Sequence, residues 1–431
     1  MGRHVVVISE DAMVYEDTRR LRELPVFSSV WDQCAVVKKV RSIYPTVTYP
    51  CHTSMMTGCY PDRTGVYNNE VDHLFEKASD WHWFYRDVKV PSIFDAAKKK
   101  GLSTGSVFWP VTGNCGSIDY LIDEYWPQAD DESMRECFLH AGTSEEVAKK
   151  CIDPNLWLQV NRTHPWCDDF VHACACSMIR SYKPDLLMIH PGLIDGYRHE
   201  TGVFSDKVEH ALHETDHCLG WILKAARDAG IYEDTDFFIV SDHGQMNISR
   251  VVCPNVEFAR RNLVSVDMSG RVTDYVAAFH SAGASGQIFL KNPDSKEDYE
   301  RVCAVLKDMC ASGIYGFSEV LTAGEAQERY HLAGGFSFVI ETDGYTAFAN
   351  DWTGPMVREQ TDGRDYRFGH ATHGYMPEKG PQPTLIAFGP DIRPGASVET
   401  CRLVDEPATL ARVLGLEMDG IDGRCIEEIL R

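Results

Sequence analysis

Asp236-Phe237-Phe238-Ile239-Val240-Ser241-Asp242-His243-Gly244 is an apolar run that ends in two metal-ligating residue types and a glycine. A short run apolar at successive positions, without alternation, reads as a strand buried on both faces, the habit of parallel sheets. On an extended backbone Asp242 and His243 would point apart. On a turn both can converge on one ion, and Gly244 permits the sharp exit they need. Similar buried-strand runs occur at His4–Ile8, Ser103–Phe108, Asp185–His190 and Thr384–Phe388. Helical patterns separate them. Val90–Lys100 is amphipathic and stops at Gly101; Ser205–Ala229 aligns Val208, Leu212, Thr215, Leu219, Ile222 and Ala226 on one face and stops at Gly230. Strand alternating with helix predicts an α/β fold with a mostly parallel sheet covered on both faces.

In such sheets ligands gather beyond the carboxyl ends of the strands. Asp11 follows the first strand, Asp195 and His199 follow Asp185–His190, and Asp242-His243 follows Asp236–Ser241. Asp at i and His at i+4 suit one helical turn or a folded loop and can reach a single metal. Each piece alone has a bland reading, as a cap, a loop or a surface histidine. Their coincidence at three strand ends is what points to metal chemistry.

The segment Pro45-Thr46-Val47-Thr48-Tyr49-Pro50-Cys51-His52, running on to Thr57-Gly58 and Gly65, sets Thr48 in a turn ahead of a short helix. A threonine hydroxyl is a poor nucleophile until something removes its proton, and a metal site can do so. Gly369-His370-Ala371-Thr372-His373-Gly374-Tyr375 is a further glycine-flanked loop of the kind that carries function.

Bulk properties narrow the classes. A chain of 431 residues holds one large domain with insertions, or two domains. A net charge of −22 argues against sequence-independent binding to nucleic acid or acidic membranes. No stretch approaches a membrane-spanning length, and the apolar N-terminal run is too short for a secretory signal, so a cytoplasmic protein is expected. The 15 cysteines are scattered and are expected to be reduced thiols. The region from Val251 to Trp352 breaks the strand–helix rhythm, with a helix near Ser295–Met309 and strands near Gln287–Leu290 and Phe336–Glu341. It reads as a smaller insert packed beside the core of one catalytic domain spanning 1–431.

Taken in order, Ser9-Glu10-Asp11, Pro45 to Gly65, Asp195 to His199, Ser241 to Gly244 and Thr372-His373-Gly374-Tyr375 resemble the alkaline phosphatase superfamily. Within it they resemble the nucleotide pyrophosphatase/phosphodiesterase (type I phosphodiesterase) family. The resemblance covers most of the chain and weakens over the insert. It implies an alkaline-phosphatase-like three-layer sandwich. It also implies two divalent cations, one held by Asp11, Thr48, Asp242 and His243, the other by Asp195, His199 and His373. Mixed Asp/His ligation suits zinc. The implied chemistry is hydrolysis of phosphodiester or phosphoanhydride bonds through a phospho-threonine at Thr48, with Asn69 as amide donor to a phosphate oxygen. A neutral donor suits the single negative charge of a diester.

Rivals are weighed on single residues. A sulfatase needs Cys or Ser at position 48 and Arg at 52, where this chain has Thr48 and His52. A phosphomonoesterase or phosphonate hydrolase of the same superfamily, or a non-catalytic protein binding metal and phosphate, are the alternatives; completeness of the ligand set argues against the last. Cys51 reads as a packed loop residue, His210, His213 and His217 as a solvated helix face, and His370 as a neighbour of the ligands. The substrate is expected to be a small phosphodiester or nucleotide, contacted by Tyr49, Asn69 and His190. His190 stands where the family often has an aromatic, and Cys51 where it often has Asn. Trp81, Trp83, Phe84 and Tyr85 form an aromatic cluster that either lines the pocket or belongs to the core, with core the expectation.

Overall fold

The computed structural model describes residues 4–76, 80–129, 131–160, 162–360 and 366–431. Six strands are β1 (His4–Ser9), β2 (Ala35–Arg41), β3 (Thr104–Val107), β4 (Tyr120–Ile122), β5 (Leu186–Ile189) and β6 (Thr235–Val240). With Leu385–Phe388 and Ser397–Arg402 they form one eight-stranded sheet. Its order is Ser397–Arg402, β2, Leu385–Phe388, β6, β1, β5, β3, β4. All neighbours pair in parallel except Leu385–Phe388, which runs antiparallel to both β2 and β6. The five strands expected from apolar runs are present, with ends shifted by a residue or so. The strands β2, β4 and Ser397–Arg402 carry no such signal: β2 is interrupted by Lys38-Lys39, β4 has three residues, and Ser397–Arg402 is a largely exposed edge.

Alternate residues of β1 face opposite layers, as the two-residue period of a strand requires. Val5 and Val7 join a cluster with Met55, Phe94 and Leu410, from the helices Thr48–Thr57, Ile93–Lys100 and Asp405–Leu414. Val6 and Ile8 join another with Phe170, Ile179 and Ile222, from Trp166–Tyr182 and Asp206–Ala229. This is the alkaline-phosphatase-like sandwich of helix, sheet and helix. The helix caps follow local chemistry. The Ser92 N–H donates to Asp95 Oδ2 at 2.8 Å, starting Ile93–Lys100, and the Val208 N–H donates to Ser205 Oγ at 3.2 Å, starting Asp206–Ala229.

Within 251–352, four antiparallel strands lie in the order Ala277–Ser281, Ser285–Leu290, Phe338–Thr342, Phe317–Thr322. The helix Lys296–Ser312 lies beside them, and the segment has its own apolar cluster around Phe258, Leu306 and Ile340. It touches the core through Asn68, whose Nδ2 donates to Ser281 O at 3.0 Å and Gln287 Oε1 at 2.9 Å.

Register places the site. In β1 Ser9 lies opposite Val240 of β6, and Ile8 opposite Ile189 of β5. The carboxyl ends of the three central strands are therefore level, and Asp11, His190 and Asp242 emerge side by side.

Candidate metal centre

Asp11, Asp242 and His243 form one group of close ligand atoms, and Asp195, His199 and His373 another. All six are buried. The seventh predicted ligand, Thr48, is the first residue of the helix Thr48–Thr57, one step further into the helix than the turn expected for it. Its Oγ1 lies 3.2 Å from His243 Nε2, and that nitrogen is 3.1 Å from Asp242 Oδ2 and 3.6 Å from Asp11 Oδ1. The helix start turns its partial positive charge toward the hydroxyl.

Gly244 is needed for space. A Cβ there would overlap the carbonyl oxygen of Pro381 and press on Val14. The expectation of an unusual turn is replaced by a close backbone approach, for Gly244 does not have a positive φ.

In the second group, His199 Nδ1–H donates to Ala371 O at 2.8 Å and His373 Nδ1–H donates to Thr46 O at 3.0 Å. A carbonyl can only accept, so both rings carry their proton on Nδ1 and direct an Nε2 lone pair at Asp195. His199 Nε2 is 3.3 Å and His373 Nε2 3.9 Å from the Asp195 carboxylate. His373 reaches the site because Ala371–Thr372 pairs antiparallel with Met246–Asn247 just after the Asp242-His243 turn. His370 is exposed; its backbone N–H donates to His199 O at 2.6 Å, so it braces His199 through its main chain.

The donor set fits cations. Asp11 Oδ1 and Asp242 Oδ2 are buried with no hydrogen bond, a costly state for a carboxylate oxygen unless a cation takes it. Burial, with Asp195 nearby, pushes the Asp11 carboxyl up to about 7. Burial, with Asp11 beside it, pushes Asp242 well above the usual carboxylate range. Burial and His373 hold His243 well below the usual imidazole range, and burial lowers His373 to about 4, so both rings are neutral and able to ligate.

Supporting residues that sequence reasoning did not assign surround these groups. Gln245 Nε2 donates to Asp195 Oδ1, and also to its backbone oxygen at 3.1 Å. His52 Nδ1–H donates to Thr48 O at 2.8 Å and its Nε2 accepts from Ser9 Oγ at 2.9 Å, tying the helix that carries Thr48 to β1. Both sit two to four residues from a motif residue, and that nearness is the signal that could have found them. Cys51 is fully buried with Sγ 3.3 Å from Ser42 Oγ, while His210, His213 and His217 are exposed.

The groups open into a pocket of about 760 Å³. Asn69 and Tyr49 meet in its wall. The Tyr49 N–H donates to Asn69 Oδ1 at 2.8 Å, which leaves Asn69 Nδ2 as its donor toward the pocket. Tyr49 is fully buried, with the Trp81 ring 5.1 Å away edge-on. Trp83 is core, as expected, but Trp81 is not: it is half-buried and lines the pocket beside Trp126, 5.2 Å away. His190 is buried at the pocket floor, where its Nε2 donates to Asp11 Oδ2 at 3.1 Å and its Nδ1 is 3.6 Å from Glu124 Oε2. Those carboxylates raise His190 well above the usual imidazole range against the effect of burial. It stands as a cation behind Asp11.

A mostly parallel α/β sheet with buried Asp/His groups level with its central strand ends is the architecture of the alkaline-phosphatase-like hydrolases. The family model described as Type I phosphodiesterase / nucleotide pyrophosphatase matches residues 5–376, and the chain belongs to that family. Ectonucleotide pyrophosphatase/phosphodiesterase family member 7 of Rattus norvegicus is 22% identical over 413 residues, 93% of this chain and 81% of that protein. Family member 1 of the same organism is 24% identical over 223 residues, covering 51% of this chain and only 21% of that protein. This chain thus aligns with about a fifth of the longer relatives. Murine ectonucleotide pyrophosphatase / phosphodiesterase 5 shares the fold, with a TM-score of 0.69 at 18% identity over 100% of both chains. An inactive variant of that protein, solved in complex with AMP, superposes with a TM-score of 0.68 at 18% identity, also over 100% of both chains. No described helix is long and apolar enough to cross a membrane.

Proposed function

We propose that this chain is a two-metal phosphodiesterase acting on nucleotide-like diesters and pyrophosphates through a phospho-threonine at Thr48. The observation that carries the reading is the place of Thr48 Oγ1, at a helix start and 3.2 Å from His243 Nε2 between buried carboxylates. Asp11, Thr48, Asp242 and His243 would hold one cation and Asp195, His199 and His373 the other; zinc suits these donors. When bound, the cations supply Lewis-acid stabilisation of the nucleophile and of the departing oxygen.

The protein's own residues do the positioning. The helix Thr48–Thr57 holds the hydroxyl, with His52 bonded to the Thr48 carbonyl so that its first turn cannot rotate. Attack of Thr48 Oγ1 on phosphorus, its proton released to solvent, forms the P–O bond to threonine as the bond to the leaving oxygen breaks. Water then cleaves the phospho-threonine, restoring the hydroxyl. Asn69 Nδ2 donates to a non-bridging oxygen. Its neutrality favours a diester over a doubly charged monoester. The AMP complex of the related murine protein supports a nucleotide as substrate.

The test compares bis- and mono-p-nitrophenyl phosphate hydrolysis by the wild type and Thr48→Ala. The wild type should prefer the diester, and Thr48→Ala should lose on the order of 10³-fold or more. Faster monoester turnover overturns the diesterase reading, and an unimpaired Thr48→Ala overturns the covalent route.

A further inference from the structure

The half-buried His164 and the buried Asp168 form a pair in the pocket wall that the reaction above does not use. His164 Nδ1 lies 2.6 Å from Asp168 Oδ2, and the Gly192 N–H donates to Asp168 Oδ1 at 2.8 Å. Asp168 is only 3% exposed, so its charge needs a counterion, and the imidazole supplies it. The pair has a defined place relative to the ligands. His164 Nε2 and Cδ2 lie over Gly196, the residue after Asp195, so closely that a Cβ on Gly196 would come within 2.5 Å of both. The glycine after the ligand Asp195 is thus the space that lets this ring approach the Asp195 side of the pocket. Among the described residues, no hydrogen-bond acceptor is bonded to Nε2, and His164 lines the pocket.

Lys207 also lines this pocket, but it is committed: Nζ pairs with Glu200 and sits 4.3 Å from the Tyr197 ring centroid. The Arg162 guanidinium lies 4.5 Å from the Trp126 centroid and 5.5 Å from that of Trp81, on the aromatic wall. His164 differs because its carboxylate lies on Nδ1, which leaves the second N–H of the imidazolium, over Gly196 in the pocket wall, as a donor without an acceptor among the described residues. Asp168 raises the His164 imidazole against the burial that would lower it, in keeping with a charged ring.

We propose that His164, held by Asp168, is a specificity-determining residue that binds an anionic oxygen of the substrate's leaving group. This rests on the function proposed above, with the cation of Asp195, His199 and His373, the one without Thr48 among its ligands, taken as the one that would face the departing oxygen. A pyrophosphate leaving group carries several anionic oxygens besides the one that departs, and those require further donors. An alcohol or phenol leaving group has no such oxygens. His164 therefore favours phosphoanhydride substrates such as nucleoside triphosphates over simple aryl esters of the same nucleotide. Charge-assisted hydrogen bonds of this type change binding by about 10-fold or more.

The experiment uses the full chain loaded with zinc and two substrates that share a nucleotide: thymidine triphosphate, and the p-nitrophenyl ester of thymidine monophosphate. His164→Ala is expected to lower the ratio of kcat/KM for the triphosphate over that for the ester by about 10-fold or more. Its inhibition constant for inorganic pyrophosphate should rise by a similar factor, and Asp168→Asn should shift both the same way by less. His164→Lys, which restores a cation, should recover part of the ratio. Where His164→Ala does not fold, His164→Gln takes its place in the same comparison. A folded variant whose substrate ratio and pyrophosphate inhibition stay within about twofold of wild type overturns the assignment. Equal loss on both substrates overturns it too, by making the pair structural. Failure of the wild type to cleave either substrate instead overturns the phosphodiesterase reading on which it stands.

Discussion

The imidazoles of His243 and His373 stack with ring centroids 4.0 Å apart and planes 15° from parallel. One ring belongs to the Asp11–Asp242 group and the other to the Asp195–His199 group, so the stack is the physical joint between them. It is possible because both rings are neutral: burial disfavours protonation of either, and the nearness of His373 adds to this at His243.

That joint makes metal content a sensitive readout. His373→Ala removes a ligand from one group and is expected to lower bound transition metal from about two ions per chain to about one, by elemental analysis after dialysis. His243→Ala removes a candidate ligand from one group and a packing surface from the other, so it should fall below one. Two ions retained by either variant would show that these rings are not ligands.

Asn69→Asp separates two roles of one side chain. The aspartate can still accept the Tyr49 N–H, now made at 2.8 Å, but it has no donor for a phosphate oxygen and adds repulsion. Diester kcat/KM is expected to fall by about 10² or more while the melting temperature holds. A parallel loss of melting temperature would mean that Asn69 is structural.

Gly244→Ala tests the close approach behind the Asp242-His243 turn. Its Cβ would meet the Pro381 carbonyl, a backbone atom that cannot rotate away. Denaturant unfolding should show a loss of about 3 kcal/mol or more, with reduced metal content. A change below about 0.5 kcal/mol would mean that the turn relaxes freely.

Glu341 provides the pH signature of the insert. It is fully buried, accepts from Tyr44 Oη at 3.0 Å and Met376 N at 3.2 Å, and lies 2.7 Å from Lys379 Nζ. Burial outweighs these partners and raises its carboxyl from 4.5 to about 7. Between those values the folded chain holds a proton that the unfolded chain has lost, so stability falls as pH rises from about 4.5 to about 7 and then levels. The contribution is about 3 kcal/mol. Glu341→Gln should flatten that part of the curve of melting temperature against pH; an unaltered slope would assign the effect to other groups.

Much of the architecture was legible because chemistry and local pattern coincide. Asp236–Ser241 and Asp185–His190 are apolar at all four inner positions, which only a doubly covered strand tolerates, and each leads into ligand-type residues. The edge strand Ser397–Arg402 and the three-residue β4 were illegible, since a half-exposed or very short strand owes its existence to the neighbour it pairs with. The direction of Leu385–Phe388 was equally hidden: an apolar run has no sense of parallel or antiparallel.

The site divides in the same way. The amino-acid order singled out the nucleophile candidate Thr48 and the ligand-type residues Asp11, Asp195, His199, Asp242 and His243, because metal ligation demands particular atoms and those atoms belong to few side chains; His373 came from the family resemblance. The family resemblance already implied how they group; only the tertiary structure decided how closely each group gathers and which histidine proton points away from it. It also decided that His190 backs Asp11, that Trp81 faces the pocket and that His164 fills the gap left by Gly196. Those facts depend on distances between segments far apart in the chain, and such distances are set by sheet register and packing, to which no local stretch of sequence has access.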